Sequence, residues 1–326
     1  MGTSTAAAVP SSGGVGRFFK RLHDGDEIAH TLTLIFAASV LLIAVLLVYQ
    51  LWMHSAESRQ KFGFNFFLTQ TWDPVSGQFG ALPYIYGTVV TSVVALLISV
   101  PLGVGAAIFL AELAPARVSN MLTFLVELLA AVPSVIYGLL AIFALVPLLR
   151  KYIEPGLKAT LGFLPMFQGP IYGIGFLAAG LILAIMTFPF IISISREALL
   201  EVPREQREAA LALGATKWES TWQVVVPYAK LGIMGSIFLA LARALGETMA
   251  VTMVIGNDPR IKASLFAPGY TIAAVIANEF TEAVNGLHQS ALIELGLVLF
   301  LLTMIINAGA RLLIIATTKK GSSRDE

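Results

Sequence analysis

The sequence has no cysteine and little charge. None of its 326 residues is Cys, and only 13% are Asp, Glu, Lys or Arg. The lack of Cys excludes disulfides, thiolate metal ligands and cysteine nucleophiles. With 57% hydrophobic residues and a mean hydropathy of +0.81, the chain is too apolar for a soluble domain with a wetted surface. It is therefore predicted to lie in a membrane, in contact with lipid.

The sequence also lacks the marks of several functional classes. Its four His residues are far apart and show no paired spacing, so no metal site is predicted. The dipeptide Gly-Lys does not occur, so the chain has no loop of the kind that cradles the phosphates of ATP. The net charge of +1 gives no electrostatic reason to expect a nucleic acid. No catalytic residue and no cofactor are predicted in this chain.

Long apolar runs dominate what is present. A spanning helix needs about 20 largely apolar residues. Six such runs are bounded by charge or by Pro and Gly: 31–52, 86–111, 121–149, 172–195, 231–256 and 290–316. They predict an all-α integral membrane protein with about six transmembrane helices in one domain over 31–316. Residues 1–30 and 317–326 are predicted to be cytoplasmic tails.

The distribution of Lys and Arg predicts the orientation. With the N-terminus inside, the cytoplasmic segments carry 13 Lys and Arg residues and the outer segments carry seven, which leaves Arg243 alone inside a span. This bias predicts that both termini and the loop 196–230 lie in the cytoplasm.

The loop 196–230 is predicted to form a helix, a break and a second helix. Pro203 suits the first turn of a helix, where its missing N–H costs nothing. Arg204 and Glu208 are four residues apart and can pair across one turn. Gly214 suits the left-handed position that follows a helix end. The segment from Pro203 to Gly214 is thus predicted to be one short, capped helix.

A second short helix is predicted directly after it. Thr216 and Glu219 have the T-x-x-E spacing of a capping box, and Pro227 is expected to end or kink the helix. The two helices form a bent, amphipathic hook that can sit in a groove of a partner. From helix chemistry alone, a solvated loop that merely joins two spans is the alternative.

The spacing of the whole loop resembles a known motif. It has Glu208-Ala209-Ala210, three residues, Gly214, nine further residues and then Val-x-Val-Pro at 224–227. This resembles the cytoplasmic EAA loop of ABC-importer permeases, with Val in place of Ile and Leu. The resemblance implies a hook that couples to a separate ATPase, which binds ATP and Mg. The positions expected to couple are Arg204, Glu208, Ala209, Ala210, Gly214, Ala215 and Thr216.

The fifth apolar run contains charge. Arg243 lies about 18 Å from the start of the run at 1.5 Å per residue, near the middle of a core about 30 Å thick. Glu247 follows four residues later and is expected on the same helix face, and Thr248 adds a hydroxyl. Each charge costs roughly 2.5–3.5 kcal/mol on insertion scales, so these side chains are predicted to face a polar pathway or the bundle interior.

Two interpretations of these charges stay open. A guanidinium donates two parallel, charge-assisted hydrogen bonds, which suits phosphate or another oxyanion. A structural pair of Arg243 and Glu247 that locks helices together is the alternative. In the pathway interpretation, Glu247 helps to select phosphate over sulfate, because phosphate near neutral pH keeps a proton to donate.

Five segments resemble a narrower family. They are RALGETMAV at 243–251, WDPVSGQFGALPYIYGTVVTS at 72–92, PLGVGAAIFLAE at 101–112, VPSVIYGL at 132–139 and APGYTIAAVIANE at 267–279. Together they look like the PstC-type permeases of high-affinity phosphate importers, over most of the chain from about Phe62 onward. The aromatic-rich segment 62–86, with Phe66, Trp72 and Tyr84, suits either a contact with a binding protein or an interfacial belt.

The resemblance implies a type I ABC importer permease fold in the inner membrane. The implied partners are a homologous PstA-type permease, two copies of a PstB-type ATPase and a PstS-type phosphate-binding protein docked outside. Arg243, Glu247 and Thr248 are then the expected substrate pathway. The alternatives are a sulfate or molybdate permease, an ion-driven secondary transporter and a membrane enzyme. A secondary transporter predicts inverted repeats and broken helices at matching positions, which the sequence does not reveal.

Overall fold

The computed structural model describes residues 26–284 and 286–322. Within these ranges the protein is helical, and its one β pairing is an isolated bridge between Asp73 and Gln78. Most of the predicted tail 1–30, and the last four residues of the predicted tail 317–326, lie outside the described residues.

Fifteen α-helices follow one another along the described chain. They are α1 (Asp26–His54), α2 (Ala56–Phe62), α3 (Asn65–Leu68), α4 (Leu82–Ile108), α5 (Ala116–Ala130), α6 (Ser134–Leu140), α7 (Val146–Leu148), α8 (Glu154–Leu161), α9 (Phe176–Leu200), α10 (Arg204–Ala212), α11 (Lys217–Ser220), α12 (Val226–Gly246), α13 (Met249–Thr252), α14 (Ile272–Glu279) and α15 (Gly286–Ser322). Several are joined or extended by π-helical turns, at Phe109–Leu113, Ala141–Leu145, Leu149–Ile153 and Thr221–Val225.

Six helical segments of the described chain are long and apolar enough to cross a membrane. We number them spans 1 to 6: Ala29–His54, Leu82–Leu113, Ser134–Leu161, Phe176–Leu200, Lys217–Gly246 and Gly286–Gly309. The prediction of an all-α architecture with six spans is confirmed.

The predicted third span, 121–149, was wrong in its position. The structure ends α5 at Ala130, turns at Ala131, and begins span 3 only at Ser134. Pro133 causes the break, because it has no N–H to donate and favours an extended conformation in the residue before it. Apolar composition continues through this break. Hydropathy alone therefore placed the start of the span at 121, before the break, and not at Ser134.

The predicted fifth span, 231–256, was displaced in the opposite sense. Span 5 begins at Lys217, inside the hook, and ends at Gly246. Glu247 then has an extended backbone, with φ −70° and ψ 128°, so it lies beyond the helix. Apolar residues continue after this point, and the sequence reading did not detect the broken helix.

The chain divides into two compact units between Met53 and His54. In the first, α1 is apolar along its length, and nearly all of its described side chains are exposed. A helix of apolar, exposed side chains suits a lipid surrounding.

In the second unit, span 4 is the most buried of the spans and packs mainly against α4 and α12. Glycine permits the close approach of α4 to span 4. A Cβ on Gly103 would lie 2.7 Å from Cγ2 of Ile191, and one on Gly180 would overlap Val94. Small residues at such crossings are typical of helix packing in membranes.

Three buried apolar clusters follow one another along the second unit. One joins the hook to the ends of α4 and span 4, around Leu199, Val225 and Ala229. A second fills the middle around span 4. The third is aromatic and includes Phe66 and Tyr84, both fully buried. These two aromatic side chains therefore form a core, which neither interpretation of segment 62–86 had predicted.

Candidate functional site

The hook begins with α10, which Pro203 precedes as the N-cap residue. Its end is a Schellman motif: the Gly214 N–H donates to the Leu211 carbonyl at 3.0 Å, and the Ala215 N–H donates to the Ala210 carbonyl at 3.1 Å. Gly214 has φ +89°, which confirms the predicted left-handed conformation. The loop therefore turns sharply at a position that favours glycine.

The predicted capping box is also confirmed. The Thr216 hydroxyl accepts from the Glu219 N–H at 3.3 Å, and the Glu219 carboxylate accepts from the Thr216 N–H at 2.8 Å. Pro227, however, does not end this helix. It lies in the first turn of α12, after the π-helical turn Thr221–Val225, so the hook continues directly into span 5.

The predicted coupling residues lie together on this hook. Arg204, Glu208, Ala209 and Ala210 are on α10, Gly214 and Ala215 form the turn, and Thr216 caps α11. Exposed apolar side chains surround them: Leu213 is 91% exposed and Trp218 is 56% exposed. Arg204 and Glu208 are both exposed and form no salt bridge within the described residues, so the expected pair is absent.

Arg207, which the sequence reading missed, attaches the hook to the transmembrane part. Its guanidinium forms a salt bridge with Glu112 at 2.8 Å, and its Nε donates to the same carboxylate at 3.2 Å. It also donates to the carbonyls of Leu199, at 2.7 Å, and Val202. The available signal was an acidic residue at the end of an apolar run and an Arg directly before Glu208.

Arg243 lies in the last turn of α12, near the break in the helix. Its guanidinium carbon is 4.5 Å from the centre of the Phe190 ring, an arrangement typical of a cation–π contact. Its Nε is buried, and no group of the described residues accepts a hydrogen bond from it. The side chain as a whole is half-buried. Arg243 is therefore a half-buried positive group whose buried Nε has no acceptor in the part of the chain that the structure describes.

Glu247 and Thr248 stand next to Arg243 in a different way from that expected. Because the helix ends at Gly246, Glu247 does not continue the helix face of Arg243. Its Oε1 accepts from the Ala250 N–H at 3.4 Å, and no salt bridge joins it to Arg243 among the described residues. The Thr248 hydroxyl donates to the Gly246 carbonyl at 3.3 Å. The structure thus lacks the Arg243–Glu247 ion pair that the structural interpretation requires.

A cavity of about 770 Å³ opens among the loops on the side opposite the hook. Its walls include Trp72, Tyr270, Glu279, Glu282 and His288. Glu279 is held in place, because its Oε2 accepts from Trp72 Nε1 at 2.8 Å and lies 3.1 Å from His288 Nε2. Glu282 is exposed. The described residues that line the cavity include these two carboxylates and no Lys or Arg.

The basic side chains that follow the wall residue Pro259 share one carboxylate. Arg260 and Lys262 both form salt bridges with Asp258, at 2.8 Å and 3.0 Å. The hydrogen bond from Arg260 is the main cause that holds the pKa of Asp258 below its usual value, so Asp258 stays ionised at neutral pH. The lining of the cavity is therefore acidic, and Asp258 offsets one of the two positive charges of Arg260 and Lys262 beside it.

The sequence is similar to a known family of membrane proteins. Residues 99–314 match the family model described as binding-protein-dependent transport system inner membrane component. The chain belongs to this family. The permease is 49% identical to a phosphate transport system permease protein PstC of Mesorhizobium japonicum, over 88% of this chain and 89% of the relative. It is 47% identical to the PstC of Pasteurella multocida, over 88% and 91%. It therefore groups with PstC-type permeases and is a multi-pass protein of the inner membrane.

Solved structures confirm the fold. The chain of a bacterial alginate ABC transporter in complex with an alginate pentasaccharide-bound periplasmic protein aligns with a TM-score of 0.57 at 14% identity, covering 89% of the permease and 96% of that chain. A second alginate ABC transporter structure aligns with a TM-score of 0.56 at 15% identity. The predicted type I ABC importer permease fold is thus confirmed.

Proposed function

We propose that this chain is the permease subunit of an ATP-driven importer that carries inorganic phosphate across the cytoplasmic membrane. The similarity to permeases named for phosphate transport, over 79% to 88% of the chain, is the observation that carries the proposal. Sulfate and molybdate permeases of the same architecture remain the alternative substrate class.

The environment of Arg243 supports an oxyanion as substrate. A half-buried guanidinium whose Nε has no acceptor among the described residues can donate to an anion that enters the break after Gly246. Irregular backbone at membrane depth is tolerated where it is buried in protein or lines a cavity. Glu247, free of an ion pair with Arg243, is available to accept a hydrogen bond from a phosphate hydroxyl, which sulfate does not possess.

Uptake by the assembled transporter in proteoliposomes tests the substrate. We expect radiolabelled phosphate to accumulate in the presence of ATP, and equal concentrations of sulfate or molybdate to compete weakly. Accumulation of sulfate in preference to phosphate would assign the permease to the alternative class. ATP-independent uptake driven by an ion gradient would instead indicate a secondary transporter.

The hook is proposed to dock on a separate ATPase. Its exposed apolar residues, Leu213, Trp218 and Trp222, lie on a rigid, doubly capped turn that can enter a groove. We propose the complete assembly as this chain, a homologous PstA-type permease, two PstB-type ATPases and a PstS-type binding protein, with both termini of this chain in the cytoplasm. ATP and Mg bind to the ATPases. Closure of the ATPases on ATP opens the pathway outward, and hydrolysis returns it inward.

The isolated chain is expected neither to bind nor to hydrolyse ATP, because its sequence has no phosphate-cradling loop. Equilibrium binding of a fluorescent ATP analogue and release of phosphate from ATP would be measured on the purified permease. ATP hydrolysis in a preparation free of other subunits would contradict the proposed division of labour.

The acidic cavity is proposed to receive the binding protein. It lies on the side opposite the hook, so it faces the binding protein when the hook faces the ATPase. Val75 and Val284, 97% and 94% exposed, add apolar contact area beside the two carboxylates. This chemistry fits a basic side chain projecting from the binding protein, because Glu279 is already oriented and Glu282 is exposed.

Reversing one charge of the cavity tests this docking position. We expect Glu282→Lys to raise the binding-protein concentration needed for half-maximal ATPase stimulation by about tenfold, equivalent to about 1.4 kcal/mol. Titration of the phosphate-loaded binding protein against the assembled transporter measures this. Glu57→Lys, another exposed acid on the same side, serves as the control. Equal shifts for both variants would mean that only general charge attraction is involved.

A further inference from the structure

Arg207 is the principal side-chain anchor of α10. Within α10, only Arg207 and Ala210 are half-buried, and the other residues are exposed. Ala210 is too short to reach far from the helix. The guanidinium of Arg207, in contrast, extends to groups that belong to two different spans.

The two ends of this link are well defined. Glu112 lies in the π-helical turn that ends span 2, and its side chain is 12% exposed. Leu199 lies at the end of span 4, where its carbonyl also accepts from the Val202 N–H at 3.4 Å. Arg207 donates to the Glu112 carboxylate from Nε and Nη2. It also donates to the Leu199 carbonyl from Nη2 and to the Val202 carbonyl from Nη1. A lysine, with a single ammonium group, does not reproduce this fork.

We propose that Arg207 and Glu112 form the link through which movement of the hook reaches spans 2 and 4, an inference that rests on the proposed coupling to an ATPase. Spans 2 and 4 form the most extensive helix pair of the second unit, so they move as one body. One guanidinium joins the hook to the end of span 2 and to the end of span 4. A displacement of the hook therefore reaches both spans without bending at residues 201–203. Arg207 is thus a positioning residue for transport.

The number of phosphate ions imported per ATP hydrolysed tests the link. The assembled transporter is reconstituted in proteoliposomes with Arg207→Ala, Arg207→Lys or Glu112→Gln. We expect ATP hydrolysis to stay within about twofold of the parent, while phosphate per ATP falls at least tenfold for Arg207→Ala and less for Arg207→Lys. Arg117→Ala, which removes an exposed arginine shortly after the end of span 2, is expected to keep the parental ratio of phosphate to ATP.

A different result is expected if the Arg207–Glu112 pair only stabilises the position of the hook. In that case the yield of assembled transporter falls, but the assembled fraction keeps the parental phosphate-to-ATP ratio, and the proposal is overturned. If Arg207→Ala does not assemble, Glu112→Gln decides in the same way, because it keeps the side-chain shape and removes only the charge. Sulfate uptake is measured in parallel, so an error in the proposed substrate is detected in the parent and leaves the ratio measurable.

A spectroscopic readout tests the link independently of transport. Because the chain has no Cys, spin labels can be placed uniquely at Gln206→Cys and Arg117→Cys in a transporter whose other subunits lack cysteine. We expect a narrow distance distribution in the parent and one at least twice as wide in Arg207→Ala, with and without ATP. An unchanged distribution in Arg207→Ala overturns the proposal, because the hook is then held without the link.

Discussion

Replacing Arg243 with Ala is expected to reduce phosphate uptake more than about 100-fold while the transporter still assembles. Two charge-assisted hydrogen bonds, at about 1.5–3 kcal/mol each, account for a loss of this size when the ligand is an anion. Assembly is expected to survive, because Arg243 has no salt-bridge partner among the described residues that its removal would strand. Uptake and complex yield are measured together.

Three further variants separate the pathway interpretation from a structural one. Arg243→Lys should recover little uptake, because a point charge does not replace the planar fork. Arg196→Ala removes another half-buried arginine with an unused Nε, at the hook end of span 4, and should transport near the parental rate. The double variant Arg243→Met/Glu247→Leu should remain inactive. Assembly and parental uptake by this double variant would exclude both residues from the pathway.

Replacing Gly214 with Val is expected to lower recovery of the ATPase with the permease at least tenfold, while membrane insertion is unchanged. A Cβ at Gly214 would meet no atom within 4 Å, so we expect the effect to come from the backbone. At φ +89° a β-branched residue is strained by about 1–3 kcal/mol, which favours a different path for the loop. Co-purification of the ATPase and phosphate uptake are the two measurements.

The control for this variant uses a residue that tolerates the same backbone. Gly214→Asn should keep most ATPase binding, since Asn adopts the left-handed conformation more readily than other non-glycine residues. Equal losses for Val and Asn would point to side-chain size. Normal ATPase binding and uptake in Gly214→Val would mean that the loop only joins two spans.

The hook shows how far local sequence rules reach. Gly214, Thr216 and Glu219 act through neighbours within a few residues, and all three were placed correctly from the sequence. The Arg207–Glu112 contact joins residues 95 positions apart, and no local pattern encodes that pairing. Interactions of the second kind depend on how the spans pack, which spacing along one chain does not specify.

Span boundaries failed for a different physical reason. Lipid-facing and protein-buried segments are equally apolar, so composition does not change at Pro133 or after Gly246. Backbone chemistry sets these ends, through the missing N–H of Pro133 and the glycine that precedes Glu247. For the same reason Arg243 and Glu247 were predicted to share a helix face, although the helix ends at Gly246, between them. The arrangement of these two residues required the fold.

Span 5 has a mechanical consequence. Its 30 residues run from Lys217, in the hook, to Gly246, three positions beyond Arg243. At about 1.5 Å per residue, this is a stiff rod about 45 Å long. The proposed ATPase contact and the proposed substrate arginine therefore lie near the two ends of one helical segment, so we expect an axial displacement of Trp218 to displace Arg243 as well. The π-helical turn Thr221–Val225 is the place where such a rod would flex first under load.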